Sequence, residues 1–188
     1  MSRKEVNRQK AIDATLALCL KHSFHGTSMD SITAATGMSK ATIYRHFDSK
    51  EKLIAEALEF YRQQSTEVLT TLFQDPALSL QEKLSARFVM LKESFDSQEF
   101  QGCYFQKAHN EYCNEEPAIS GVCSLYKIER TQMIAELLLA HDIVNAKEKA
   151  KRAELVFNGL LASLLVNSDR SLIDLAQQMY FEQLEIAS

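Results

Sequence analysis

Residues 27–53 read TSMDSITAATGMSKATIYRHFDSKEKL and place two short helical patterns on either side of a glycine. Thr27 or Ser28 can cap the first helix, because a hydroxyl at that position accepts a hydrogen bond from an amide in the first helical turn. Gly37 interrupts the first pattern, and Ser39 is a natural N-cap for the second. The stretch therefore predicts a helix, a tight glycine turn and another helix.

The second helix should run from Lys40 to His46 and expose a mixed polar face. Its inward positions are Ile43 and Phe47, four residues apart, while the helix before it should bury Ile32 and Ala35. Small, hydroxyl, aromatic and basic side chains remain on the outer or flanking faces, namely Lys40, Ala41, Thr42, Tyr44, Arg45 and His46. A helix with such a face suits the major groove of DNA. The alternative is an ordinary solvated helix.

Helical patterns flank this stretch on both sides. A one-sided apolar stripe predicts a helix over residues 3–21, and Gly26 is placed to end it in a left-handed conformation. Asp48 or Ser49 can cap the helix that follows the stretch. Lys50 then lies near that helix N-terminus, where a cation opposes the helix dipole unless a bound phosphate offsets it.

Charge is divided unevenly along the 188 residues, whose net charge is −4. Residues 1–52 hold nine Lys or Arg against five Asp or Glu, a net of +4, which leaves −8 for the remainder. A basic module facing a polyanion, joined to an acidic body, would produce this division. Chance scatter of solvated charges is the alternative.

The rest of the chain continues in amphipathic helical patterns. With only five Gly and two Pro, the composition favours an all-α protein. The apolar patterns along the chain indicate about nine helices in total. A long helix should run from about residue 49 to 73 and link the two halves. Pro117 should open a later helix, and two broadly apolar helices should close the chain.

The segment FHGTSMDSITAATGMSKATIYRHFDSKEKLI resembles the DNA-binding domain of the TetR family of transcriptional regulators, a likeness that covers about residues 1–55. The shared features, in order, are an aromatic-Gly-Thr, Ile32, the Gly37 turn, Ser39-Lys40, Tyr44-x-x-Phe47, and Ser49-Lys50 with Leu53. Thr33 departs from the family, which usually has Ala there. The resemblance implies a three-helix helix-turn-helix DNA-binding domain over 1–48, followed by a helical regulatory, ligand-binding and dimerisation domain over 49–188.

The resemblance also implies individual DNA contacts. Thr27 and Lys50 would clamp phosphates, and Tyr44 and His46 would reach the sugar–phosphate backbone. The residues from Ser39 to Thr42 would approach base edges. The complete expected DNA-binding set is Thr27, Ser28, Ser39, Lys40, Ala41, Thr42, Tyr44, Arg45, His46 and Lys50.

An aromatic segment of the acidic body, FQGCYFQKAHNEY at residues 100–112, has the composition of a small-molecule pocket. Its polar members Gln106, His109 and Asn110 stand among aromatic rings. Ordinary core packing explains the rings equally well. The expected ligand-binding set is Phe88, Leu91, Cys103, Tyr104, His109, Tyr112, Tyr126 and Phe157.

Cys103 follows Gly102 at the expected start of a helix, where the helix dipole would favour the thiolate and burial would oppose it. Some relatives with a Gly-Cys at this place sense electrophiles or oxidants through the thiol. An inert packed thiol is the alternative. His109 and Cys113 share a helical face, but this two-residue pattern is weak and we expect no metal site.

The last two helices have wide apolar faces that suit a two-fold four-helix interface. The expected dimer-interface residues are Phe157, Leu160, Leu161, Leu164, Leu172, Leu175 and Met179. The resemblance implies the same homodimer. Two DNA modules roughly 34–36 Å apart would read successive major grooves.

These observations predict a homodimeric repressor that a small-molecule effector or a thiol modification releases from a palindromic operator. A DNA-bound protein-interaction or nucleoid-type regulator without a ligand is the alternative. An enzyme using Cys103 with His109 is disfavoured, because residues six apart on a helix do not face each other and no other catalytic arrangement is visible. We expect no enzyme and no cofactor. With no signal peptide and no long apolar run, we expect no membrane partner and a cytoplasmic location.

Overall fold

A computed structural model describes residues 2–186. Over that range the chain forms nine α-helices and no strand, which confirms the all-α prediction and the expected number of helices. The helices are α1 (Arg3–His22), α2 (Met29–Thr36), α3 (Lys40–Tyr44), α4 (Lys50–Gln74), α5 (Leu80–Asp96), α6 (Tyr104–Tyr112), α7 (Pro117–Leu139), α8 (Ala146–Val166) and α9 (Ser171–Leu184).

The chain divides into two compact units. The first comprises the residues up to Ser65 together with Tyr104–Tyr126, and the second comprises Thr66–Cys103 together with the residues from Lys127 onward. Helices α4 and α7 each contribute to both units. A DNA-binding domain that ends at residue 48 stays a prediction.

The helix-turn-helix has the predicted caps. Ser28 accepts a hydrogen bond from the amide of Ser31 at the start of α2, and Ser39 accepts one from the amide of Thr42 at the start of α3. Gly37 ends α2 with φ at 66°, a left-handed conformation that favours glycine. Its amide donates to the carbonyl of Thr33, so the departure from the family pattern leaves the glycine turn intact.

A small apolar core supports these helices. Ile12, Ile32, Ile43 and Leu53 are fully buried, and Phe47 is 2% exposed. Full burial of such side chains contributes roughly 1.5–3 kcal/mol each. Ile43 and Phe47 therefore anchor α3 and the turn that follows it, as their spacing predicted.

Three local predictions were wrong. The residue that ends α1 is Ser23, with φ at 71°, and not Gly26. A Cβ on Gly26 would lie 2.2 Å from the carbonyl oxygen of His22. Glycine is therefore needed here because the backbone passes close to that carbonyl, and not because φ is positive. On α2, Thr36 is buried where Ala35 was expected, and its buried hydroxyl is satisfied by donating to the carbonyl of Ile32.

The third error concerns the length of α3. It ends at Tyr44 and not at His46, and a turn covers the next two residues. The amide of His46 donates to the carbonyl of Ile43, a tighter pattern than that of an α-helix. The side chains of Arg45 and His46 therefore leave the chain from a turn.

The second unit has an aromatic core between α5, α8 and α9. The ring of Phe88 makes edge contacts with Phe157 and Tyr180, each with 5.2 Å between ring centres. Arg87 forms an ion pair with the buried Glu154, and its guanidinium lies 3.9 Å from the centre of the Phe157 ring. The aromatic contacts and the paired charge together hold α5 against α8.

Within residues 2–186, no helix combines the length and the apolar character needed to cross a membrane.

Candidate nucleic-acid interface and the α6 cluster

Helix α3 presents the outer face that its sequence predicted. Lys40, Ala41, Tyr44 and Arg45 are exposed, and Thr42 is half-buried. Tyr44 keeps 45% of its surface exposed even though it follows the fully buried Ile43. The face combines small, hydroxyl, aromatic and cationic groups, which can contact base edges and phosphates.

Hydrogen bonds order the polar side chains of this face before any partner binds. The hydroxyls of Ser39 and Thr42 lie 2.9 Å apart, and the guanidinium of Arg45 donates to the Thr42 hydroxyl at 3.1 Å. Side chains that are already held in place lose less conformational entropy on binding. Thr42 is the central member of this chain of bonds.

Lys40 has a partner on the neighbouring helix. Its Nζ lies 2.7 Å from the carboxylate of Asp30, which raises the pKa of Lys40 by hydrogen bonding and charge. Both side chains are largely exposed, so water screens the pair and a phosphate can replace the carboxylate.

The expected phosphate clamps differ in exposure. Thr27 is 1% exposed and its hydroxyl donates to the carbonyl of Ser23, whereas Ser28 is exposed as the cap of α2. Lys50 is the half-buried first residue of α4. Ser49 caps that helix by accepting a hydrogen bond from the amide of Lys52 at 3.0 Å.

A cavity of about 560 Å³ borders this face and includes residues that sequence reasoning missed. Its lining residues are Arg3, Lys4, Asn7, Thr42, Arg45 and His46. The first three belong to the start of α1, where spacings of three and four place them on neighbouring faces. The sequence showed their charge, but only the tertiary packing of α1 places them beside the end of α3.

Aromatic side chains cluster around α6 in the first unit. The ring of Tyr61 meets that of Tyr104 edge-on with 4.5 Å between centres, and Phe105 stacks on Tyr126 at 3.8 Å. Tyr104 and Tyr126 belong to the expected ligand-binding set. Tyr61 and Phe105 do not; Tyr61 lies on α4, which is far from α6 in sequence.

Two polar atoms of α6 are buried without hydrogen-bond partners among residues 2–186. They are Nδ1 of His109 and the phenol oxygen of Tyr112, three residues apart and therefore on one side of the helix. Burial, with nearby carboxylates contributing, raises the pKa of Tyr112. Buried polar atoms normally find hydrogen-bond partners, so these two atoms are unusual.

Helix α6 also grips the turn between α1 and α2. The carboxylate of Glu111 accepts hydrogen bonds from the amides of Phe24 at 3.0 Å and His25 at 2.6 Å. The His25 ring lies 2.9 Å from the Glu111 carbonyl oxygen and 4.3 Å, centre to centre, from the Tyr112 ring. This clamp joins α6 directly to the helix-turn-helix.

The other residues of the expected ligand-binding set belong to the second unit. Phe88, Leu91 and Phe157 are buried in its core. Cys103 is half-buried and immediately precedes α6, as its sequence position predicted.

The remaining cysteines are free thiols in different surroundings. Cys113 is exposed, whereas Cys19 and Cys123 are buried. Burial raises the pKa of Cys19 to about 11, so this thiol stays protonated and unreactive at neutral pH. No cluster of three or more metal-binding side chains occurs in the part of the chain that the structure describes.

The expected dimer-interface residues differ in exposure. Phe157, Leu160 and Leu164 are buried within the protomer, and Leu161 and Leu172 are half-buried. Two others are exposed at the surface, Leu175 by 53% and Met179 by 42%. Leu155 and Val166, 73% and 92% exposed, are apolar residues of α8 that sequence reasoning did not name.

Residues 11–57 match the family model described as bacterial regulatory proteins, tetR family. The chain is 24% identical to the HTH-type transcriptional regulator YjdC of Escherichia coli (strain K12) over 97% of this chain and 95% of the relative. The HTH-type transcriptional repressor DhaR of Mycobacterium sp. (strain GP1) is 26% identical over 51% of this chain and 47% of its own length.

Two solved structures extend the likeness to the whole fold. SCO4454, a TetR-family transcriptional regulator from Streptomyces coelicolor, superimposes with a TM-score of 0.84 at 18% identity, covering 95% of this chain and 94% of that one. The reduced form of E. coli NemR gives a TM-score of 0.86 at 15% identity, covering 94% and 95%. The chain has a TetR-like fold, with an N-terminal helix-turn-helix domain followed by a helical C-terminal domain.

Proposed function

We propose that this chain is a DNA-binding transcriptional regulator of the TetR family that acts as a repressor. The observation that carries the proposal is the outer face of α3, where exposed polar and basic groups stand on a helix anchored by the buried Ile43 and Phe47. The family match of residues 11–57 covers this face. The names of the relatives YjdC and DhaR support the same function.

In the proposed complex, α3 enters the major groove. Ala41 and Thr42 contact base edges and thymine methyl groups, and Tyr44 and Arg45 flank them. Lys50 and Ser28 contact phosphates on either side, which fixes the register without reading sequence. Lys40 exchanges its ion pair with Asp30 for a phosphate.

The operator would be palindromic, because the proposed regulator is a homodimer. Exposed apolar residues of α8 and α9 support this proposal, namely Leu155, Val166, Leu175 and Met179. The groove between these helices, about 270 Å³, is lined mainly by apolar side chains that a second protomer would cover.

An effector would act through α6. A small amphipathic molecule bound at α6 would hydrogen-bond the buried polar atoms of His109 and Tyr112. The resulting shift of α6 would reach the turn between α1 and α2 through Glu111. An effector that binds this shifted state more tightly than the DNA-bound state lowers operator affinity. The loss in operator binding free energy equals the difference between the effector's binding free energies for the two states. Modification of the Cys103 thiol beside the first residue of α6 is a second proposed trigger.

The proposed function is tested by selecting bound duplexes from a random pool and comparing two variants on selected and scrambled DNA. Thr42→Ala should lower the preference for the selected sequence by about 5- to 150-fold, the equivalent of roughly 1–3 kcal/mol. Lys50→Gln should weaken binding to both duplexes alike and reduce the salt slope by about 1.

Thr71→Ala provides the matched control, because Thr71 is exposed on α4 and its hydroxyl donates to the carbonyl of Glu67 within the same helix. It should bind both duplexes as the wild type does. A Thr42→Ala variant that keeps the full preference for the selected duplex would show that Thr42 on α3 does not read the DNA sequence.

A further inference from the structure

The cavity beside α3 is lined by cations from two different helices. Arg3 and Lys4 approach it from the start of α1, and Arg45 approaches it from the end of α3. Asn7, Thr42 and His46 complete the lining, which includes no acidic side chain. Like charges that converge without a counter-charge repel one another, so this arrangement favours an anion.

The two α1 cations are available for such an anion. Among residues 2–186, neither Arg3 nor Lys4 forms an ion pair, and both are exposed. Arg8, one turn later, is already engaged, because it pairs with Glu56 and lies 5.5 Å from the centre of the Phe47 ring. In α1, Arg8 therefore makes contacts within the fold, whereas Arg3 and Lys4 remain available to an anion.

The start of α1 is also held in a defined conformation. Ser2 accepts a hydrogen bond from the amide of Glu5, and the Glu5 carboxylate accepts one from the amide of Ser2. This reciprocal cap engages the one acidic group of the first turn and orders the helix from Arg3 onward. Arg3 and Lys4 therefore project from a structured helix and not from a loose terminus.

We infer that the start of α1 is a second DNA-contacting element, in which Arg3 and Lys4 bind the sugar–phosphate backbone beside the bases that α3 reads. The inference rests on the proposed function. Thr42 lines the cavity and also belongs to the reading face of α3, so DNA docked on that face brings one strand to Arg3 and Lys4. The family model matches from residue 11 onward, so this contact lies outside the matched segment.

The ligand of this site is the phosphate backbone and not a base edge. The cavity borders the reading helix at its C-terminal end, where Arg45 already bonds Thr42 and is positioned with it. Cations at that border add affinity and fix the docking angle, and they carry no sequence information. Asn7, which is half-buried, can donate its amide to the same strand.

The test compares Arg3→Gln and Lys4→Gln with the wild-type protein on a selected operator and on a scrambled duplex, between 50 and 200 mM KCl. Each variant should flatten the plot of log affinity against log salt by about 0.9 per protomer, which corresponds to about eightfold weaker binding per protomer at 0.1 M salt. The loss should be equal on both duplexes.

Lys21→Gln is the matched control. Lys21 is exposed in the last turn of the same helix, about 26 Å from Lys4 along the helix axis, and its substitution removes the same charge. It should leave the salt slope unchanged. Ethylation of operator phosphates should reveal one whose modification weakens the wild-type protein and no longer affects Arg3→Gln.

Three results would overturn the inference. A salt slope that stays unchanged in both variants, or that falls equally in Lys21→Gln, would exclude a local phosphate contact while the proposed function stands. A loss confined to A·T-rich duplexes would mean that these residues read the minor groove. A wild-type protein that binds no duplex at all would remove the proposed function and this inference together.

Discussion

Gly102 lies just before α6, and both its backbone conformation and the nearby Leu165 side chain disfavour a larger residue at this position. Its φ is +82°, and a Cβ at this position would lie 2.7 Å from a terminal methyl of Leu165. Gly102→Ala should therefore lower the free energy of unfolding by about 1–3 kcal/mol, from left-handed strain together with the steric overlap. Urea denaturation followed by circular dichroism measures the change.

A second substitution separates the two causes. In a Leu165→Ala background, Gly102→Ala should cost only the backbone part, about 1 kcal/mol. Leu165 is 47% exposed, so its own truncation should cost little. Equal losses in both backgrounds would show that the overlap with Leu165 contributes nothing.

Single residues were predictable from sequence where the cause is local. Ser39 and Gly37 could be assigned because a cap and a left-handed turn depend on a few neighbouring residues. Gly26 could not, because its role depends on how closely the chain returns to the His22 carbonyl. The burial of Thr36 likewise required knowledge of what packs on α2.

At the scale of elements, the clamp between α6 and the turn after α1 carries the proposed coupling. Glu111→Ala removes the acceptor of two amide hydrogen bonds, one of them from the buried Phe24. The free energy of unfolding should fall by about 1–3 kcal/mol, because an amide then loses its partner. Chemical denaturation measures this loss, and a gel-shift titration should show weaker operator binding.

Glu115→Ala is the control for that experiment. The Glu115 carboxylate lies 3.6 Å from the His25 ring nitrogen and is 63% exposed, so removing it should change stability by less than about 0.5 kcal/mol. Equal losses in the two variants would show that net charge, and not the clamp, stabilises the turn.

The starts of several helices followed from cap residues in the sequence, but contacts between helices did not. The starts of α2, α3 and α4 depend on hydroxyl caps within the stretch that first suggested the fold. Glu111 and Phe24 are 87 residues apart, and no local pattern indicates that they meet. Arg3 and Lys4 were absent from the predicted DNA-binding set for the same reason, because only tertiary packing places α1 beside α3.

At the scale of the whole molecule, the charge division and the fold support one account. The basic first 52 residues contain every predicted DNA contact, while the exposed apolar side chains of α8 and α9 are where we propose that a second protomer binds. The fold class was predictable because a motif of several agreeing positions identified it. The identity of an effector was not, because pocket shape depends on packing among distant helices.

The affinity of the wild-type protein for its selected operator, compared with a scrambled duplex of equal length and composition at 0.15 M salt, tests the central claim most directly. The account predicts binding at least about 10³-fold tighter to the operator, the usual range for specific recognition, with two protomers on each palindrome. Equal affinity for the two duplexes would contradict it.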